Sequence, residues 1–188
     1  MIVASLIVLG AAAAAPVPLA RFVHGHQAWR TYVAAGVVLT LLGVVAILAL
    51  LSTPARGTAV VFTHLLVAAA AITGGTAMVR GSLLIGGIEP WQLDTPAPAP
   101  DPADPAAGQP VPTPLRGGRV IGYLERLVVV AALGLHWPEA IAIVLAVKGL
   151  GRYPELREPG AAEQFIIGTL ASVVWAAAVA GVGHLLLR

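Results

Sequence analysis

Apolar residues arrive along this chain in long uninterrupted blocks, not in the three-to-four-residue rhythm of a helix lying on a soluble core. Thr31–Ser52 and Thr58–Val79 each run 22 residues without a formal charge, and Phe165–Leu187 runs 23. At 1.5 Å of helical rise per residue, each is long enough for a hydrocarbon core of about 30 Å. Val120–Leu135 and Pro138–Leu150 are shorter, and charges interrupt both. Ile2–Ala20 is a sixth block, in which Pro16 and Pro18 are expected to break the last turn. The pattern predicts an all-α, polytopic membrane protein with about six transmembrane helices.

Composition points the same way. Of the 188 residues, 58% are apolar and only 11% charged, too few charges to cover a water-facing surface. A net charge of +2 provides no basic field for nucleic acid. The absence of cysteine excludes disulfides and thiolate metal sites. Ten of the eleven basic residues are Arg, and Ala is abundant, a bias expected of a GC-rich bacterial genome. The single Lys, Lys148, lies in an apolar segment.

The first block has a competing reading as a secretory signal peptide, since it ends in small residues. No basic residue precedes its apolar run, which favours a retained span with the N-terminus outside. That orientation puts Arg21, Arg30, Arg80, Arg116, Arg119, Lys148, Arg152 and Arg157 on the inner side, and only Arg56 and Arg188 on the outer. Eight against two is the asymmetry of the positive-inside rule, and with the bacterial composition bias the expected location is a bacterial inner (plasma) membrane. Trp29, Tyr32, Trp91, Tyr123, Trp137 and Tyr153 fall near predicted span ends, as interfacial aromatics do.

Asp94–Gly117 contains eight prolines and nothing that forms a core. It reads as a disordered cytoplasmic tether; a docking site for a Pro-binding partner is the alternative, disfavoured because no basic residue flanks its prolines until Arg116. It divides the chain into a three-span region (1–93), the linker (94–117) and a C-terminal region (118–188).

The charges of interest follow the linker. Pro138 and Glu139 open a new helix just after His136 and Trp137, so two short helices form a hairpin with its tip at His136. Glu125 and Lys148 are equally far from that tip, about 17 Å along each helix. Opposite charges at one depth are placed to pair, because a lone charge in lipid costs about 2.5–3.5 kcal/mol even on insertion scales. Arg126, Arg152 and Glu163 lie toward the same inner end, and Glu163 also suits the N-terminus of the last helix. The candidate intramembrane charge cluster is therefore Glu125, Arg126, Lys148, Arg152 and Glu163. A salt bridge is its structural reading, and a titratable ion or proton path its functional one.

Three motifs carry a resemblance. Ile121–Arg126 (IGYLER), Ala146–Tyr153 (AVKGLGRY) and Ala162–Ser172 (AEQFIIGTLAS) resemble, in order, the C-terminal module of an uncharacterised family of small bacterial integral membrane proteins. The resemblance covers about residues 118–175, and departs at Gln164, where Tyr is common, and at Gly149, where Ser is. It implies a C-terminal module with charges at the five positions above, and implies no activity.

Other residues carry less. His24 and His26 make an incomplete metal site, so no metal or cofactor is expected. His64, inside a span, is expected to hydrogen-bond a neighbouring helix. Gly74-Gly75 and Gly168 with Ser172 are expected as helix contact surfaces. Nucleotide-binding glycine fingerprints are absent, and no Ser, His and Asp arrangement suggests catalysis. The expectation is a non-enzymatic accessory or scaffolding membrane component, with a membrane-protein partner or homo-oligomer. The alternative is a small transporter or channel component using the Glu/Lys cluster.

Overall fold

The computed structural model describes residues 1–23, 27–89, 118–153, 155–157 and 160–188. The linker, Trp91 and the His24/His26 pair lie outside the described residues. Among the described residues the helices are α1 (Ile2–Ala14), α2 (Pro16–Phe22), α3 (Ala28–Leu50), α4 (Thr58–Ile85), α5 (Gly118–Gly134), α6 (Glu139–Gly151) and α7 (Ala161–Leu187), with a 3₁₀ turn at Glu155–Arg157. The protein is an all-α, polytopic helical membrane protein. Among the described residues, four segments are long and apolar enough to cross a bilayer: Ile2–Phe22, Ala28–Leu50, Thr58–Ile85 and Ala161–Leu187.

The prolines interrupt the first segment, with α1 ending at Ala14 and α2 beginning at Pro16, but Ala15 keeps right-handed helical angles and the apolar run continues to Phe22. Pro16 occupies the first position of α2, where a missing N–H costs least. Thr73 of α4 donates to the Ala13 carbonyl at 2.8 Å, beside the stretch where the prolines thin the backbone ladder. Helices α5 and α6, at 17 and 13 residues, reach only about 26 and 20 Å, so the expectation of about six spans is met roughly: four described segments are long and apolar enough to cross by themselves, and the hairpin is shorter.

One core joins both sides of the linker. Leu9, Val38, Val45, Val67, Val129, Trp175 and Val179 belong to the same buried cluster. Helix α7 packs most extensively on α4, and also on α3 and α5. At one end of the bundle the 51–57 turn caps α7, since the Ala55 amide donates to the Leu186 carbonyl at 2.8 Å. Ser5 and Ser52 share a hydrogen bond of 3.0 Å at that same end.

The hairpin turns at His136, as its sequence predicts. Trp137 N–H bonds the Ala132 carbonyl (2.8 Å) and His136 N–H bonds that of Leu133 (3.2 Å), the paired bonds of a Schellman stop with His136 in the left-handed position (φ 58°). Lower on the hairpin, Lys148 meets Phe165 and Thr169 in the first half of α7, while Val129 and Leu133 higher on α5 join the core. The tip is thus directed toward the end that holds the 51–57 turn.

Candidate functional site

Glu125 and Arg126 are adjacent in sequence, so helical geometry turns their side chains about 100° apart. That rotation separates their roles. Both are 5% exposed, among the few buried polar residues in the bundle. Glu125 faces α6, and Arg126 enters the groove between α4 and α7.

On the α6 side, Lys148 Nζ donates to Glu125 Oε2 at 2.8 Å and to Thr169 Oγ1 at 2.9 Å. Glu125 Oε1 lies 2.7 Å from the same ammonium but receives no well-directed hydrogen bond of its own, so that contact is purely ionic. The ammonium also sits 5.2 Å from the centre of the Phe165 ring, within cation–π range. One lysine therefore ties α6 to α5 and to α7. The pairing follows from the equal spacing of the two residues from the tip. Thr169 is a partner that spacing could not identify.

The Arg126 seat is built from backbone. Its Nη1 donates to the Ile72 carbonyl at 2.7 Å, and its Nε to Ser172 Oγ at 3.0 Å. A helical carbonyl points toward the side chains three and four residues on, and three residues beyond Ile72 is Gly75. A Cβ at Gly75 would collide with the Arg126 guanidinium. The preceding pair repeats the device: Trp175 Nε1 donates to the Ala71 carbonyl at 3.1 Å, and a Cβ at Gly74 would stand 2.5 Å from the Trp175 ring. Gly74-Gly75 thus opens two successive carbonyls of α4 to two donors, one from α7 and one from α5. Small residues were expected at this contact surface. What fills the space is a guanidinium and an indole.

Trp175 is the residue that sequence reasoning passed over. Its signal was an indole N–H in the middle of an apolar span, far from any interface, where a donor must find a protein acceptor. Arg126 differs from Glu125 and Lys148 in having only neutral acceptors, one hydroxyl and one carbonyl. The ring of Tyr123 adds a cation–π contact, with Cζ 5.8 Å from its centre.

The remaining candidates stand apart from this pair of contacts. Glu163 is exposed in the first turn of α7, the position a carboxylate takes at a positive helix end. Arg152 caps the end of α6 and is partly buried. The structure therefore brings Glu125, Arg126 and Lys148 to one level of the bundle, in two separate hydrogen-bonded groups. His64 does not reach a neighbouring helix: its Nδ1 bonds the Val60 carbonyl of its own helix at 2.8 Å, and the side chain is exposed. Gly168 makes ordinary contact with Val79, whereas Ser172 has a specific partner in Arg126. An apolar groove of about 230 Å³ between α3 and α4, walled by Tyr32, Leu39, Met78 and Ile85, shares no residue with the charged groups. Among the described residues, no group of three or more His, Cys, Asp or Glu could hold a metal.

Fold and site together define a helical membrane protein with a charge-latched C-terminal hairpin. Comparison with protein-family models, curated proteins and solved structures found no match.

Proposed function

We propose that the chain is a non-enzymatic accessory or scaffolding component of a bacterial plasma membrane, with its N-terminus outside and its Pro-rich linker in the cytoplasm. The observation that carries this reading is that the buried charges are held by partners on other helices. Lys148 uses its donors on Glu125 and Thr169, and Arg126 uses its own on Ile72 and Ser172. Groups on an ion or proton path line a water-filled approach, whereas Glu125 and Arg126 are each 5% exposed among packed helices. These groups work as ties between helices. The resemblance of residues 118–175 to a family of small membrane proteins agrees with such a role and adds no activity to it.

Partner binding is assigned to the apolar helix faces, most of all to α6, in which no residue is buried. Purification from the native membrane in mild detergent tests the proposal. A stoichiometric membrane-protein partner is the expected outcome. A lone homo-oligomer that conducts ions in liposomes would favour a small transporter or channel component and overturn the accessory reading.

A further inference from the structure

The two helices that hold the buried charges are the two least able to enter a membrane unaided. Neither α5 nor α6 is among the four segments long and apolar enough to cross. Glu125 and Lys148 lie on the same hairpin and neutralise each other within it. Arg126 finds only the Tyr123 ring within the hairpin, and no hydrogen-bond acceptor there. Its acceptors are the Ile72 carbonyl on α4 and the Ser172 hydroxyl on α7, and no hairpin residue replaces them. In lipid, a guanidinium without acceptors is expensive, so α5 gains a place in the bilayer only where that seat already exists. Half of the seat belongs to α7, the helix that follows the hairpin in the chain.

We propose that the α5–α6 hairpin is a dependent membrane element, admitted to the bundle only with or after α7, when Arg126 can take its seat between α4 and α7. The order of insertion then departs from the order of the sequence. The long helices form a framework, and the hairpin docks into it through the Arg126 seat and the Lys148–Thr169 tie. This holds whether the finished protein scaffolds a partner or moves an ion.

Full-length protein provides the test, since the chain has no cysteine of its own. A single cysteine is placed at the tip, Leu135→Cys, and in a second chain at the 51–57 turn, Thr53→Cys. Each is labelled with a membrane-impermeant thiol reagent in intact cells and in inverted vesicles. In the parent background both positions should label from the same face. Gly75→Leu fills the guanidinium seat and should move Leu135→Cys to the opposite face, leaving Thr53→Cys where it was. The ratio of the two orientations should shift by roughly a hundredfold, the equivalent of one uncompensated charge. Adding Arg126→Leu to Gly75→Leu should return the tip to its original face. A tip that keeps its face in Gly75→Leu overturns the proposal. If Gly75→Leu also disturbs Thr53→Cys, Ser172→Val decides, since it removes an acceptor on α7 and leaves α4 intact. Reversal of the tip alone then supports dependence, and an unmoved tip refutes it.

Discussion

At the scale of single residues, the backbone stops of the helices show how a local choice sets stability. Helix α4 ends in a Schellman motif: Ile88 N–H bonds the Leu83 carbonyl (2.9 Å), Gly87 N–H bonds that of Leu84 (3.1 Å), and Gly87 takes φ 76°. The hairpin tip uses the same motif with His136 in the left-handed position at φ 58°, where a Cβ is strained. His136→Gly should therefore stabilise the protein by about 1 kcal/mol, seen as a higher midpoint of thermal unfolding in detergent. A lower midpoint would mean that the imidazole makes a contact worth more than the strain. Gly74 and Gly75 teach a different lesson. Their small size was legible in the sequence, and the contact surface follows from it. Their occupants were not legible, because a run of small residues records that something comes close without recording what. Gly75→Ala, with a Cβ set against the Arg126 guanidinium, should destabilise by about 2–4 kcal/mol, and Arg126→Met in the same chain should recover part of that loss. Equal losses with and without Arg126 would place the strain elsewhere.

At the scale of helices, the hairpin was the most readable part of the chain, and for a countable reason. His136, Pro138 and Glu139 mark a stop and a start, and counting outward from them brings Glu125 and Lys148 level. Their ion pair is present. Arg126 lies at the same level but in a separate hydrogen-bonded group, because neighbouring residues on a helix point about 100° apart. Periodicity assigns Arg126 another face without saying which helices flank it. The pair invites a double-mutant cycle. Glu125→Gln and Lys148→Met should each cost about 3–5 kcal/mol, since each leaves a buried partner behind, and the double variant should recover much of the loss. Thr169→Val should cost about 1 kcal/mol in the parent and little once Lys148 is Met. Detergent thermal unfolding reads all three. Strictly additive losses at 125 and 148 would show that the two side chains do not stabilise each other.

At the scale of the whole molecule, span number was legible only roughly. Apolar length identifies a helix that crosses on its own, and four described segments meet that measure. It says less of the short helices α5 and α6, whose place depends on their neighbours. The bundle is also less divided than its sequence. The linker separates two regions of chain, yet α7 packs mainly on α4, and one core runs through both. Termini and turns fix the relative directions of the helices. The 51–57 turn lies at the end where α7 finishes, tied to it by the bond from Ala55 to Leu186. The linker leaves from the opposite end of α4. Two sides of a membrane are therefore defined within the fold, and the remaining question is which side faces the cytoplasm. The excess of basic residues lies at the linker end, with Arg21, Arg30, Arg80, Arg119, Lys148, Arg152 and Arg157 against Arg56 and Arg188 at the other. Arg30 there packs over the Phe22 and Trp29 rings, and Arg157 over Tyr153, a basic and aromatic mixture suited to a membrane–water interface. An impermeant thiol reagent applied to intact cells should accordingly label Thr53→Cys and leave Ala106→Cys, in the linker, unlabelled until the membrane is opened. Labelling of Ala106→Cys with Thr53→Cys protected would invert the molecule. The arginines would then face outward, against the charge bias that sets topology.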